Sequence, residues 1–395
     1  MKTKNFYPDS ALGAPTFPAD LLKKSDAERI SYFKSDVKIR HPFMRTVLEQ
    51  AFDVVTSSAG ADIVIVAGPS GVGKTTLGLA LTKVLRGHYS QKSDASEGCI
   101  PVMFCSAVPA TRGFFDWRDF YIRLLNHSGE VLVDRKIRVP INLELFPEPR
   151  NQIELQSEAP PTLRRSVEKC LRERGTKVLV IDESHHILMV DQKALEIQFE
   201  NLKSLAEQAG VRIVMLGTYR LLDIRDGSGQ LVRRSKIIPF PRYDDLDEAH
   251  MEGYYSAFVE LVQRLPLDKT PDLLPHVAYI HEKSAGCIGI LKDWLTRGLE
   301  HAITKKVKLT KAVMSEIALS NKELVTLMSE AFEGEEKLRD LSDSEFRERL
   351  AEIRAQCLGD LSVRKIERAS NRPPGKRKFG KRKPTRDPVG VPNVC

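Results

Sequence analysis

No apolar run in this 395-residue chain approaches the roughly 20 residues that a membrane-spanning helix needs. The first 17 residues, Met1 to Phe17, also lack the uninterrupted apolar stretch of a signal peptide, so a cytoplasmic protein without a membrane partner is expected. Cysteine is scarce. The six at positions 99, 105, 170, 287, 357 and 395 contain no Cys-x-x-Cys pair and no companion histidine at zinc spacing, which argues against a structural metal and for reduced thiols. Acidic charge is in deficit, with a formal net of +8, but the excess is local. Between Arg364 and Arg386 stand eleven Lys or Arg against one acid, Glu367, a local charge of about +10 that leaves the remainder slightly acidic. Residues 371–395 hold five prolines and almost no apolar residue. They cannot bury enough surface to fold alone and are expected to form a disordered basic tail. Such a tail serves either as an electrostatic arm for nucleic acid or an acidic protein, or only as a solvating segment.

What is present begins with a phosphate-binding loop. Residues 68 to 76 read Gly68-Pro69-Ser70-Gly71-Val72-Gly73-Lys74-Thr75-Thr76, directly after an apolar strand-like run, Ile63 to Ala67. The glycines let backbone N–H groups approach phosphate oxygens, Lys74 suits the β- and γ-phosphates, and the Thr75 hydroxyl suits Mg²⁺. Leu77 to Leu85 then has helix-forming composition with an apolar stripe, so strand, loop and helix follow in the required order. The chemistry implied is binding of a nucleoside triphosphate, with ATP and Mg²⁺ as the expected cofactors.

A second element is needed for hydrolysis. Val178 to Glu183 is a β-branched run ending in two acids, and strands of parallel sheets deliver ligands at their carboxyl ends. Asp182 is expected to hold Mg²⁺ with Thr75, and Glu183 to orient and deprotonate the attacking water. A further apolar run, Val211 to Leu216, ends in Gly217-Thr218, where Thr218 can hydrogen-bond the γ-phosphate or the water. The adjacent His185 and His186 read as groups that orient the acids or pack on the sheet, with no third metal ligand visible.

Periodicity and breakers divide the rest. An N-terminal arm runs over residues 1–40, an α/β nucleotide domain over 41–244, a helical lid over 245–335, a C-terminal helix over 340–370 and the tail over 371–395. Helices are predicted at 42–57, 162–174 and 191–209, the last stopped by Gly210. Cys99 to Cys105 is a second strand. Trp117, Phe120, Tyr121, Leu124 and Leu125 recur at helical spacing and read as core. The stretch 129–161, with prolines at 140, 147, 149, 160 and 161, reads as an irregular insertion. Beyond Tyr243 only helices are predicted, at about 245–265, 271–283, 287–304 and 310–332. A capping box, Ser342-x-x-Glu345, opens the final helix, whose stripe of Phe346, Leu350, Ile353, Cys357 and Leu361 is expected to pack on the lid or to meet a partner. Alternating β and α elements argue a parallel sheet flanked by helices.

Residues 40–300 resemble the AAA+ ATPases of the TnsC/TniB type, regulators of transposition. The resemblance rests on the phosphate loop, on Val108-Pro109 with Arg112, on Ile181-Asp182-Glu183-Ser184-His185-His186 followed by Asn201-Leu202-Lys203, on Leu216-Gly217-Thr218, and on Gln230-Leu231-Val232-Arg233-Arg234. It implies an α/β P-loop AAA+ core with a small helical lid, ATP bound between adjacent subunits, and a ring or helical filament assembled on double-stranded DNA. It also implies a transposase and a target-selection protein as partners. Arg233 or Arg234 would be the finger that reaches a neighbour's γ-phosphate, and Arg112 with Thr111 would contact the DNA backbone. At 286–289, Gly-Cys-Ile-Gly departs from the family's Gly-x-x-Arg sensor, and Lys292 is a weak substitute. Signalling and origin-recognition ATPases share most of these motifs, so a nucleotide-gated interaction switch, with DNA incidental, remains the alternative.

Overall fold

The computed structural model describes residues 16–90, 98–109, 115–129, 161–188, 192–223 and 235–370, excepting the side chains of 192–194 and 357–370. Thr111, Arg112, Arg233, Arg234, nearly all of the 129–161 stretch and the 371–395 tail lie outside the described residues.

Five short strands form one sheet: β1 (Ile63–Ala67), β2 (Val102–Ser106), β3 (Val178–Asp182), β4 (Arg212–Gly217) and β5 (Ser235–Pro239). Their order is β2-β3-β4-β1-β5, and every described pairing is parallel. All five residues of β1 and of β3 are buried, as expected for strands covered on both faces and built from Val, Ile, Leu and Ala. Register brings the ends level. Ala67 pairs with Gly217 and with Pro239, and Ser106 pairs with Asp182, so the residues that follow each strand emerge along one edge.

Helices cover both faces. On one lie α2 (Pro42–Thr56) and α3 (Lys74–Ser90), packed through Val47, Ala51, Leu77 and Leu81 against Val64, Val66 and Val214. The other face carries α4 (Trp117–His127), α5 (Pro161–Glu173) and α6 (Gln192–Ala209). Here Trp117, Phe120, Tyr121, Leu124 and Leu125 are all buried against the sheet, and the Trp117 indole donates to Gln198 of α6 at 2.6 Å. Gly210, at φ +69°, ends α6 in the left-handed region that glycine adopts without a Cβ clash.

A second core belongs to the helical part. It is built from α7 (Glu248–Gln263), α8 (Val277–Lys283), α9 (Ile288–Lys305) and α10 (Lys311–Glu316), around Tyr254, Phe258, Leu291, Trp294 and Leu295. Phe33, Val37 and Ile39 are buried in this same core. Residues 16–40 are therefore not a projecting arm: they form α1 (Asp26–Ser31), opened by a Ser25/Glu28 capping box, and short turns packed on the helical domain. Scattered prolines masked that amphipathic patch in the sequence.

Two further departures have local causes. The single helix expected over 310–332 is split, because Ser320 and Glu323 form a capping box that starts a new helix, α11 (Asn321–Leu338). Strand β5 was not expected, since Ser-Lys-Ile-Ile-Pro is short, half polar and ends in proline, a composition tolerated at a sheet edge.

Residues Arg339–Cys395 form a separate unit containing α12 (Asp343–Ser370). Ser342 and Glu345 make the expected capping box, with Glu345 Oε2 accepting from the Ser342 backbone at 2.8 Å. Phe346 and Ile353, on the stripe expected to pack on the lid or to meet a partner, are exposed. No described helix is long and apolar enough to cross a membrane.

Candidate nucleotide site

The phosphate loop spans the turn between β1 and α3. Gly71 and Gly73 hold φ of +84° and +105°, so the chain can curl its amides inward where any other residue would be strained. A Cβ on Gly71 would meet Ile290 Cγ1 at 2.5 Å, and a Cβ on Gly68 would strike the Phe240 carbonyl. Lys74 is buried in the first turn of α3, and its ammonium donates to the carbonyls of Gly68 at 3.0 Å and Pro69 at 2.8 Å. Burial lowers its pKa, opposed by the nearby Glu183 and Asp182 carboxylates. The nearby Cys287 thiol is itself pushed up to about 12 by burial, which keeps it protonated at neutral pH.

Strand β3 brings the acids to the same edge. Thr75 Oγ1 donates to Asp182 Oδ2 at 2.8 Å across 107 residues of chain, joining the two groups expected to hold Mg²⁺. Asp182 is 3% exposed; burial raises its pKa, while the Thr75 hydrogen bond pulls it down. Its Oδ1 and the Thr218 hydroxyl are both buried without a hydrogen-bond partner among the described residues. Buried polar atoms are rarely left so; Asp182 is bonded to Thr75 through its other oxygen, and Thr218 lines a cavity with Ser70 of the loop. Glu183, at φ +51°, turns the chain sharply, and its half-exposed carboxylate lies 3.3 Å from His185 Nδ1. Burial pushes His185 down to about 4, so its ring is neutral at pH 7. These features fit a Mg²⁺-bound triphosphate: a cradle that Cβ atoms would fill, a lysine, a hydroxyl paired to a carboxylate, and orphan acceptors beside them.

Several groups that sequence reasoning missed complete the surroundings. His41, the residue before α2, is buried with its Nδ1 2.9 Å from the Tyr243 hydroxyl. Burial pushes it down to about 4. Arg242, just past β5, is buried against α11: its Nη2 donates to Glu335 Oε2 at 3.2 Å, its Nε lies 3.0 Å from Oε1, and its guanidinium stacks over Phe332. Arg220, two residues after Thr218, is exposed and lines a cavity of about 530 Å³ with Ser70, His185, His186 and Thr218. Helix α11 forms the opposite wall through Glu330 and Glu333. The lid touches the loop directly, since the Gly289 amide donates to the Gly71 carbonyl at 2.6 Å. Lys292 is committed elsewhere: it donates to the Lys34 carbonyl at 2.9 Å. No signal in the sequence couples Arg242 to Glu335, whereas Thr75 and Asp182 were each legible within their own motifs.

Residues 57–224 match the family described as AAA domain. No curated protein matches the chain. Among solved structures, the chain is similar to the ORC2 protein of Aeropyrum pernix (14% identity, covering 73% of this chain and 72% of that one, TM-score 0.46). It is also similar to Cdc6p from Pyrobaculum aerophilum (14% identity, 76% and 74%, TM-score 0.48) and to Drosophila ORC bound to DNA (15% identity, 79% and 70%, TM-score 0.46). The family match, the parallel sheet and the loop together define an AAA-type P-loop ATPase domain with a helical C-terminal part.

Proposed function

We propose that the protein is an ATP-dependent, DNA-binding AAA+ regulator that assembles on duplex target DNA and licenses or recruits a transposase, with ATP hydrolysis driving disassembly. The observation that carries the hydrolytic half is the Thr75–Asp182 hydrogen bond beside Lys74 and Glu183. In that arrangement the loop amides and Lys74 bind the phosphates, and Thr75 with Asp182 holds Mg²⁺. The bound metal supplies charge neutralisation on the phosphate oxygens. Glu183 takes the proton of the attacking water. Thr218 donates to the same region, and the finger is assigned to Arg233 or Arg234 of a neighbouring subunit. Duplex binding is assigned to Arg112 with Thr111 and, without nucleotide control, to the basic tail.

The test is ATP turnover by the full chain, measured with and without duplex DNA. Turnover that changes several-fold with duplex supports the DNA-bound regulator. Turnover indifferent to duplex at low salt favours the alternative, a nucleotide-gated interaction switch.

A further inference from the structure

We propose that Glu183, His185 and His186 form a binding site for one divalent transition-metal ion of the zinc class, distinct from the Mg²⁺ position at Thr75 and Asp182. The sequence shows two adjacent histidines and no third ligand. The fold supplies the third. Glu183 sits in the left-handed region at φ +51°, and the His186 amide donates back to the Glu183 carbonyl at 3.0 Å, closing a turn that swings the carboxylate toward the two rings. One ligand atom from each of the three residues then lies within 4.8 Å of the others.

One edge has the right length for a metal. Zinc bound at about 2.0–2.2 Å to nitrogen and oxygen in tetrahedral geometry sets neighbouring ligand atoms about 3.3–3.5 Å apart. His185 Nδ1 and Glu183 Oε2 stand 3.3 Å apart, yet this nitrogen is buried without a hydrogen bond, so the contact is a spacing and not a bond. The two imidazoles lie with centroids 4.2 Å apart and planes tilted by 42°, so the rings stand side by side without stacking face to face. The third ligand must close by about an ångström, a side-chain rotation within reach of His186 and of the half-exposed Glu183. His185 and His186 line the 530 Å³ cavity, which gives an ion a route in and leaves a fourth position for water.

Occupancy has a consequence that rests on the hydrolytic reading above: it ties the Glu183 carboxylate to the metal, so the general base can no longer take a proton. Zinc would therefore arrest turnover without competing for the phosphate loop.

The experiment uses the full chain without nucleotide. Cobalt(II) is the spectroscopic probe, zinc affinity is measured by competition with a chelating dye, and ATP turnover is then followed at fixed Mg²⁺ with rising zinc. The expected result is one equivalent of cobalt with four-coordinate visible bands and no thiolate charge-transfer band. Zinc affinity should fall at least about tenfold in His186→Ala and also in the isosteric Glu183→Gln. Zinc should arrest the parent, and His186→Ala, with each protein compared to its own zinc-free rate, should need at least about tenfold more. Equal zinc affinity in both variants, a thiolate band, or absence of binding overturns the site. Parent turnover unchanged by saturating zinc overturns the arrest. A protein that binds zinc through His186 but hydrolyses no ATP upholds the site and removes the hydrolytic reading instead.

Discussion

Lys74 is buried, and its ammonium donates to two carbonyls of its own loop, so the charge is held where phosphate oxygens would take over those bonds. On the proposed reading, truncating it removes the binding group itself, whereas Glu183 acts only on the water. Lys74→Ala is expected to lose ATP binding in a fluorescent-nucleotide titration, while Glu183→Gln keeps affinity and loses about 10²- to 10⁴-fold in turnover. A Glu183→Gln protein with parental turnover would remove Glu183 from the chemistry. His41 gives a pH signature. Its folded pKa, about 4, lies below the ordinary 6.5, so the unfolded chain takes up the proton first. Its contribution is complete above pH 6.5 and drains away as pH falls toward 4, by up to about 3 kcal/mol at 1.36 kcal/mol per unit. His41→Asn should therefore show a shallower loss of urea midpoint between pH 6.5 and 4 than the parent. An identical slope would mean that the ring is protonated in the fold. The contrast between these residues explains what was legible in the sequence. Lys74, Thr75, Asp182 and Glu183 sit in contiguous motifs whose chemistry is local, but His41 finds Tyr243 across 202 residues, a pairing that only tertiary packing creates.

Helix α11 shows the same division between elements. Its start was readable from Ser320-x-x-Glu323, a signal as clear as the Ser342-x-x-Glu345 box, but an unbroken apolar pattern over 310–332 conceals it. What the sequence could not announce is where the helix packs. Gly334 rests on the Tyr219 ring, just after Thr218, so closely that a Cβ there would overlap the aromatic carbons. Lys337 pairs with Asp223 at 2.7 Å and Arg242 with Glu335, which fastens α11 to the segments that follow β4 and β5. In a free helix Gly→Ala stabilises by about 1 kcal/mol. Here the overlap should reverse the sign, so Gly334→Ala is expected to destabilise by about 1–3 kcal/mol, read as a lower thermal midpoint. A stabilised Gly334→Ala protein would show that α11 is not seated on Tyr219. Strand β5 is the element composition hides best: it is placed by pairing with β1, and its two isoleucines are too few to mark a strand alone.

For the whole molecule, the fold class follows from motif order along the chain, while the sheet order and any assembly depend on pairings and surfaces that no local pattern encodes. If the finger acts between subunits, an Arg233→Ala, Arg234→Ala protein should be inactive alone. It should partly recover turnover when mixed with Glu183→Gln, which still donates its arginines. A double variant with parental turnover would make both residues surface charge. On the proposed reading, the tail and Arg112 would divide DNA binding differently. Removing residues 371–395, with a local charge near +10 in and just before them, should weaken nucleotide-independent binding and flatten its salt dependence, whereas Arg112→Glu should abolish only the ATP-dependent component. The central claim is that ATP, held but not hydrolysed, builds an assembly on duplex DNA. Electron microscopy of Glu183→Gln with ATP and duplex DNA tests it most directly. The account predicts regular rings or filaments on the DNA that are absent without ATP and absent with Lys74→Ala; single subunits scattered on the duplex regardless of nucleotide would contradict it.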